Sequence, residues 1–110
     1  MMSTTLDFIE YVCEQIPQIG ELRYRKMFGE YMIYINDKPL LIVCDNIVYV
    51  KKHEVVEHLM KNALTGCPYQ GAKEHYILDI DNHELTYQVL YELEKVIPVP
   101  KKRARKKVSL

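Results

Sequence analysis

The stretch from Leu22 to Lys52 limits the fold more than any other part of the chain. Its short runs of Ile, Val, Leu and Tyr are cut by polar turn residues at Gly29-Glu30, Asn36-Asp37-Lys38 and Asp45-Asn46. Parallel neighbours need a crossover of about a dozen residues or more, so connections this short force an antiparallel meander. Strands are expected at about Leu22 to Met27, Tyr31 to Ile35, Leu40 to Cys44 and Ile47 to Lys51. The runs YMIYI, LLIVC and IVYV are apolar on both pleat faces, whereas a sheet with one wet face alternates. Both faces of this sheet therefore need cover.

The flanks read as helices. Thr4 followed by Asp7 forms a capping pair, and Leu6, Ile9, Cys13 and Ile16 recur at helical spacing, which predicts a helix from about Thr5 to Ile16. Pro17 and Gly20 end it. A second helix is expected over His53 to Leu64 with Val55, Val56, Leu59, Met60 and Ala63 inward, then a loop from Thr65 to Lys73 punctuated by Gly66, Pro68 and Gly71. Glu74 to Ile80 suits a fifth strand. Asp81 with Glu84 caps a closing helix whose inner face is Leu85, Val89, Leu93 and Val96 or Ile97, stopped by Pro98 and Pro100. The expected class is α+β, in the order α-β-β-β-β-α-β-α, with a single mainly antiparallel sheet of about five strands packed against three helices.

At 110 residues the chain suits one domain, here 1–97, followed by a basic tail, 98–110. The formal net charge is zero, but Lys101, Lys102, Arg103, Arg105, Lys106 and Lys107 concentrate six positive charges in the tail. The other nine Lys and Arg, set against fifteen Asp and Glu, leave the body at −6. The tail, low in apolar content, is expected to be mobile and to meet nucleic acid only through salt-sensitive, sequence-blind attraction. No helix-turn-helix, zinc finger or aromatic-basic interleaving accompanies it.

Asp7, Glu10 and Glu14 interrupt the apolar residues near the start, so no secretory leader is expected there, and no run reaches the length of a membrane span. A cytoplasmic protein without a membrane is the expectation. Cys13, Cys44 and Cys67 stand 31 and 23 residues apart with no CxxC, so reduced thiols are expected and no disulfide framework. His53 and His58, five apart, diverge on a helix; with His75 and His83 they read as surface histidines, and no metal or cofactor is expected. Cys67, His75, Tyr76 and Asp79 carry no catalytic signature, so no enzyme is expected.

The segment RYRKMFGEYMIYINDKPLLIVCDNIVYVK, Arg23 to Lys51, resembles the N-terminal domain of the TfoX (Sxy) competence-regulator family. The resemblance rests on a basic pair before Met-Phe-Gly, a tyrosine-bearing strand, a turn, an apolar strand and a Tyr-x-Lys ending. These fall on Arg25, Lys26, Met27, Phe28, Gly29, Tyr31, Tyr34, Tyr49 and Lys51, with Tyr69 in the CPYQG stretch that follows. Two positions depart from the pattern, Glu30 and Met32, where glycines are common in the family. The resemblance implies helices on one side of an antiparallel sheet, like secretion-chaperone folds, in a protein that often dimerises.

The expected function is thus a non-enzymatic regulatory or interaction domain, a homodimer joined at least partly through its sheet, with a possible further protein partner. Two alternatives stand beside it. One is nucleic-acid association through the tail; the other is a small-ligand site or enzyme beside the Met-Phe-Gly block, where Arg23, Arg25 and Lys26 form a candidate anion-binding edge.

Overall fold

The computed structural model describes residues 4–27 and 29–100. The meander forms as its turns dictate: β1 (Leu22–Met27), β2 (Glu30–Ile35), β3 (Lys38–Cys44) and β4 (Ile47–Lys51) pair successively and antiparallel. Both Asn36-Asp37 and Asp45-Asn46 hold positive φ at each central residue, between 53° and 66°. This is the left-handed geometry of two-residue hairpin turns, whose twist matches that of the strands, and Asn and Asp tolerate it better than other side chains.

Among the described residues six strands are present, not five. Thr65–Gly66, expected as loop, forms the two-residue strand β5 against β6 (His75–Ile77), and the sheet order is β1-β2-β3-β4-β6-β5. A two-residue strand beside a glycine leaves no periodicity to read. The strand expected over Glu74 to Ile80 is correspondingly shorter: Leu78 still donates its N–H to Val48 in the β4–β6 register, but the chain then turns at Ile80 and Asp81.

Among the described residues two α-helices flank the sheet, not three: α1 (Leu6–Gln15) and α2 (His83–Val96). The segment expected as the second helix has only a 3-10 turn, Glu54–Val56, followed by further turns. Val56 and Met60 are buried there as helical spacing predicted, and the adjacent β-branched Val55 and Val56 slightly disfavour a regular helix. Both caps fall one residue later than the sequence patterns placed them. Thr5 accepts from Phe8 N–H, while Thr4 donates its hydroxyl to the Val43 carbonyl at 3.3 Å and so ties the helix start to β3. Asn82 accepts from Leu85 N–H, while Asp81 instead accepts the Tyr11 hydroxyl from α1.

One apolar cluster joins the helices to the sheet. Ile9, Val12 and Ile16 of α1 and Val89, Leu90 and Leu93 of α2 meet Tyr31, Ile33 and Ile35 of β2, Leu41 and Val43 of β3, and Val48 and Val50 of β4. The register places these strand residues opposite one another, so they share one pleat face. A bulge between Ile33 and Tyr34 lets Leu40 and Leu41 both enter the core. Of the two residues expected as the last inward position of α2, Ile97 packs against the core and Val96 is exposed. No helix among the described residues is long and apolar enough to cross a membrane.

Candidate functional site: the helix-free face of the sheet

Among the described residues, the opposite pleat face carries no helix. Its central row is fixed by register: Arg25 faces Met32, Met32 faces Ile42, Ile42 faces Tyr49, and Tyr49 faces Ile77. Arg23, Tyr34 and Pro39 form a second row on one side, with Lys51 and His75 paired further along. Met27 with Glu30, and Cys44 with Ile47, complete the face at its other end. Met32, Tyr34, Ile42, Cys44 and Ile77 are each half-buried and Ile47 is exposed, so a broad apolar strip meets solvent. The largest apolar patches of isolated soluble proteins are often functional.

The rim of this strip is polar and mostly cationic. Arg23 lies over the Tyr34 ring at 4.3 Å and pairs with Asp37 at 3.0 Å, both ends well exposed, so the pair contributes no more than about 1 kcal/mol. Burial pushes the Glu30 carboxyl above its ordinary value. Burial, then Asp45 and Glu30, pushes up the Cys44 thiol. Burial chiefly raises Tyr49 too. Gly66 of β5 lies beside the Tyr49 ring: a Cβ placed there would stand 3.4 Å from it.

The family-motif residues divide between the two faces. Arg25, Met27, Tyr34, Tyr49 and Lys51 fall on the helix-free face; Lys26 and Tyr31 fall on the other, with Tyr31 buried in the core. Gly29 takes φ +83° in the turn between β1 and β2, a conformation that suits glycine. Phe28 lies outside the described residues, as do Lys101, Lys102, Arg103, Arg105, Lys106 and Lys107. Tyr69 is half-exposed in the loop after β5. The motif omits Ile42, Ile77 and His75, which complete the face. The register held only part of their signal: the Asp45-Asn46 turn sets Ile42 opposite Tyr49, but the Asn36-Asp37 turn alone would set it opposite Tyr31, and the bulge between Ile33 and Tyr34 is what brings it opposite Met32.

His75 corrects the expectation of surface histidines, since it is only 8% exposed. It stands edge-on to Tyr49, 6.4 Å between ring centroids, and its Nδ1 donates to the Lys73 carbonyl at 2.7 Å. Strand alternation sends the neighbouring Tyr76 to the opposite face, against Val50, so Cys67, His75, Tyr76 and Asp79 do not share one. His53 caps the 3-10 turn through Nδ1, and His83 bonds Gln15. Among the described residues no group of three or more His, Cys, Asp and Glu is placed to hold a metal ion. Cys13 and Cys44 are half-buried and Cys67 is exposed, and all three are free thiols.

Two concavities among the described residues lie away from the Arg25, Met32 and Ile42 part of this face, although the first reaches Ile77. One, of about 510 Å3, opens between the turns after the 3-10 segment and the start of α2, lined by His58, Leu59, Leu64, Ile77, Asp79 and Leu85 among others. The other, of about 350 Å3, lies under the loop from Ile16 to Leu22. Neither is lined by Arg25, Met27, Gly29 or Cys67.

No protein-family model matches the chain, and neither does any solved structure. The chain is similar to a protein of Spirochaeta aurantia described as an uncharacterized 12.7 kDa protein in the trpE 5′ region: 28% identical over 107 residues, 96% of this chain and 93% of that protein.

Proposed function

We propose that the chain is a non-enzymatic interaction domain that acts as a homodimer joined through the helix-free face of its sheet, a regulatory module of the kind its resemblance to TfoX (Sxy) N-terminal domains suggests. One observation carries the reading: Met32, Tyr34, Ile42 and Ile77, each half-buried, give this face an apolar strip over β2, β3 and β6 with no helix over it among the described residues, while Tyr49 between Ile42 and Ile77 is already buried. Each Å2 of that strip left wet forgoes about 25 cal/mol of burial, and a second copy of the same face supplies an apolar cover of the same width. A helix-backed sheet of this kind also fits the secretion-chaperone-like fold that the resemblance implies. The free thiols fit a cytoplasmic setting.

Two neighbouring residues of β2 test it. Ile33 is fully buried in the core, whereas Tyr34 is half-buried on the helix-free face. Tyr34→Glu is expected to give a folded monomer, since the new carboxylate can meet Arg23, which stands over the Tyr34 ring. Ile33→Glu is expected to unfold the chain, because it buries an unpaired charge. Multi-angle light scattering at tens of micromolar should return a dimer mass for the wild type and half that for Tyr34→Glu. A well-behaved wild-type monomer at that concentration would remove the proposal.

A further inference from the structure

We infer that β1 is a docking edge for an extended acidic segment of another protein, which adds to the sheet as a further strand. The sheet has two edges. One is β5, two residues long; the other is β1, six residues long and exposed over its four central positions. The phase of the ladder shows which backbone groups remain unused. Asn36 donates its N–H to the Glu21 carbonyl at 2.8 Å, so in the same register Arg23, Arg25 and Met27 turn their backbone groups toward β2. Tyr24 and Lys26 then turn theirs outward, and neither takes part in any backbone bond beyond the ladder among the described residues.

Such an edge invites pairing, and proteins that avoid it use bulges, proline, very short strands or charged side chains. β1 has none of the first three: its register with β2 is unbroken and it contains no proline. It carries three cations instead, Arg23, Arg25 and Lys26. Arg25 and Lys26 have no ion pair among the described residues, although the body of the protein is acidic. Two copies of β1 pairing antiparallel about Tyr24 would set Arg23 opposite Arg25 twice over, and like charges directly opposite oppose pairing. The same charges attract an acidic strand. Tyr24, 40% exposed and edge-on to Tyr31 at 5.7 Å, offers an aromatic surface to an apolar side chain of the incoming segment. The occupant is therefore a strand alternating acidic and apolar residues, held by main-chain bonds to Tyr24 and Lys26 and by charge on Arg23 and Arg25.

A fluorescein-labelled peptide of three Glu-Val repeats, titrated with the full chain in low salt, tests this by anisotropy. Saturable binding is expected, weakening as salt rises, with none for the Lys-Val counterpart. Tyr24→Pro removes an outward N–H and leaves the bonds to β2 in place, so the chain should fold and bind about tenfold more weakly or worse. Arg25→Glu should do the same, as loss of a charge-assisted contact of about 1.4 kcal/mol is tenfold in affinity. Arg25→Glu decides the matter alone if Tyr24→Pro does not fold. Wild-type affinity in folded variants, equal binding of both peptides, or no binding of the acidic one would each overturn the inference. Light scattering separates it from the dimer: Tyr24→Pro should keep the wild-type mass.

Discussion

Thr86 is fully buried in α2, and its hydroxyl is the one buried side-chain polar atom without a hydrogen-bond partner among the described residues. An unsatisfied buried hydroxyl costs about 1–3 kcal/mol in lost hydration, and valine has nearly the same shape and helix propensity. Thr86→Val is therefore expected to raise stability by about 1 kcal/mol, seen as a higher urea midpoint with an unchanged slope. A lower midpoint would show that Thr86 serves something beyond packing. The threonines also show where single residues mislead. Thr4, Thr5 and Asp7 offer two overlapping capping patterns, and sequence spacing alone cannot choose between them. The choice is tertiary: Thr4 reaches Val43 across the core, and Asn46 accepts Thr5 N–H, so the helix starts one residue later.

The tip of the β2–β3 hairpin is held to the end of α2 by a small polar network. Lys38 Nζ donates to the Glu94 carbonyl at 2.6 Å and to its carboxylate at 3.0 Å, and Asn36 donates to that carboxylate at 3.2 Å. These bonds, Lys38 first and Asn36 next, hold the Glu94 carboxyl below its ordinary 4.5. Lys52 first, then Thr65, does the same for Glu74 beside β6. A carboxyl depressed in the folded state adds stability that is present above its unfolded value and is lost as pH falls through the folded one. The urea midpoint should thus drop as pH falls below 4.5, and Glu94→Gln should make that drop shallower without removing it, because Glu74 still titrates. An unchanged acid slope in Glu94→Gln would show the network to be inert. Elements were legible where turn chemistry was local: Asn36-Asp37 and Asp45-Asn46 announced four strand boundaries, three of them to the residue and the start of β3 to within two. They were not where the chain runs from His53 to Leu64, whose buried Val56 and Met60 satisfy helical spacing through separate single turns. Burial at i and i+4 needs only one turn, not a helix.

At the scale of the molecule, two-sided apolar strands called for cover on both faces, but which face the helices take depended on where α1 and α2 pack. The structure assigns Tyr31, Ile33, Leu41, Val43, Val48 and Val50 to the helices and leaves Met32, Ile42, Tyr49 and Ile77 opposite. A linear motif such as Arg25 to Lys51 crosses both faces, because alternate residues of a strand point apart; it marks the sheet and not one surface of it. Cys44 gives a direct reading of whether that surface is covered in solution. It sits half-buried on the helix-free face, across from Ile47, while Cys13 lies in α1 on the opposite side of the sheet. Burial raises both thiols from their ordinary value, so each reacts slowly and neither rate is set by an activated thiolate. In a dimer joined through this face Cys44 becomes inaccessible and Cys13 does not. The ratio of Cys44 to Cys13 maleimide labelling, read by mass spectrometry, should fall as protein concentration rises from nanomolar to tens of micromolar. In Tyr34→Glu it should stay at its dilute value throughout. A ratio that ignores concentration in the wild type would mean that the strip from Met32 to Ile77 stays open and that any pairing of chains uses another surface.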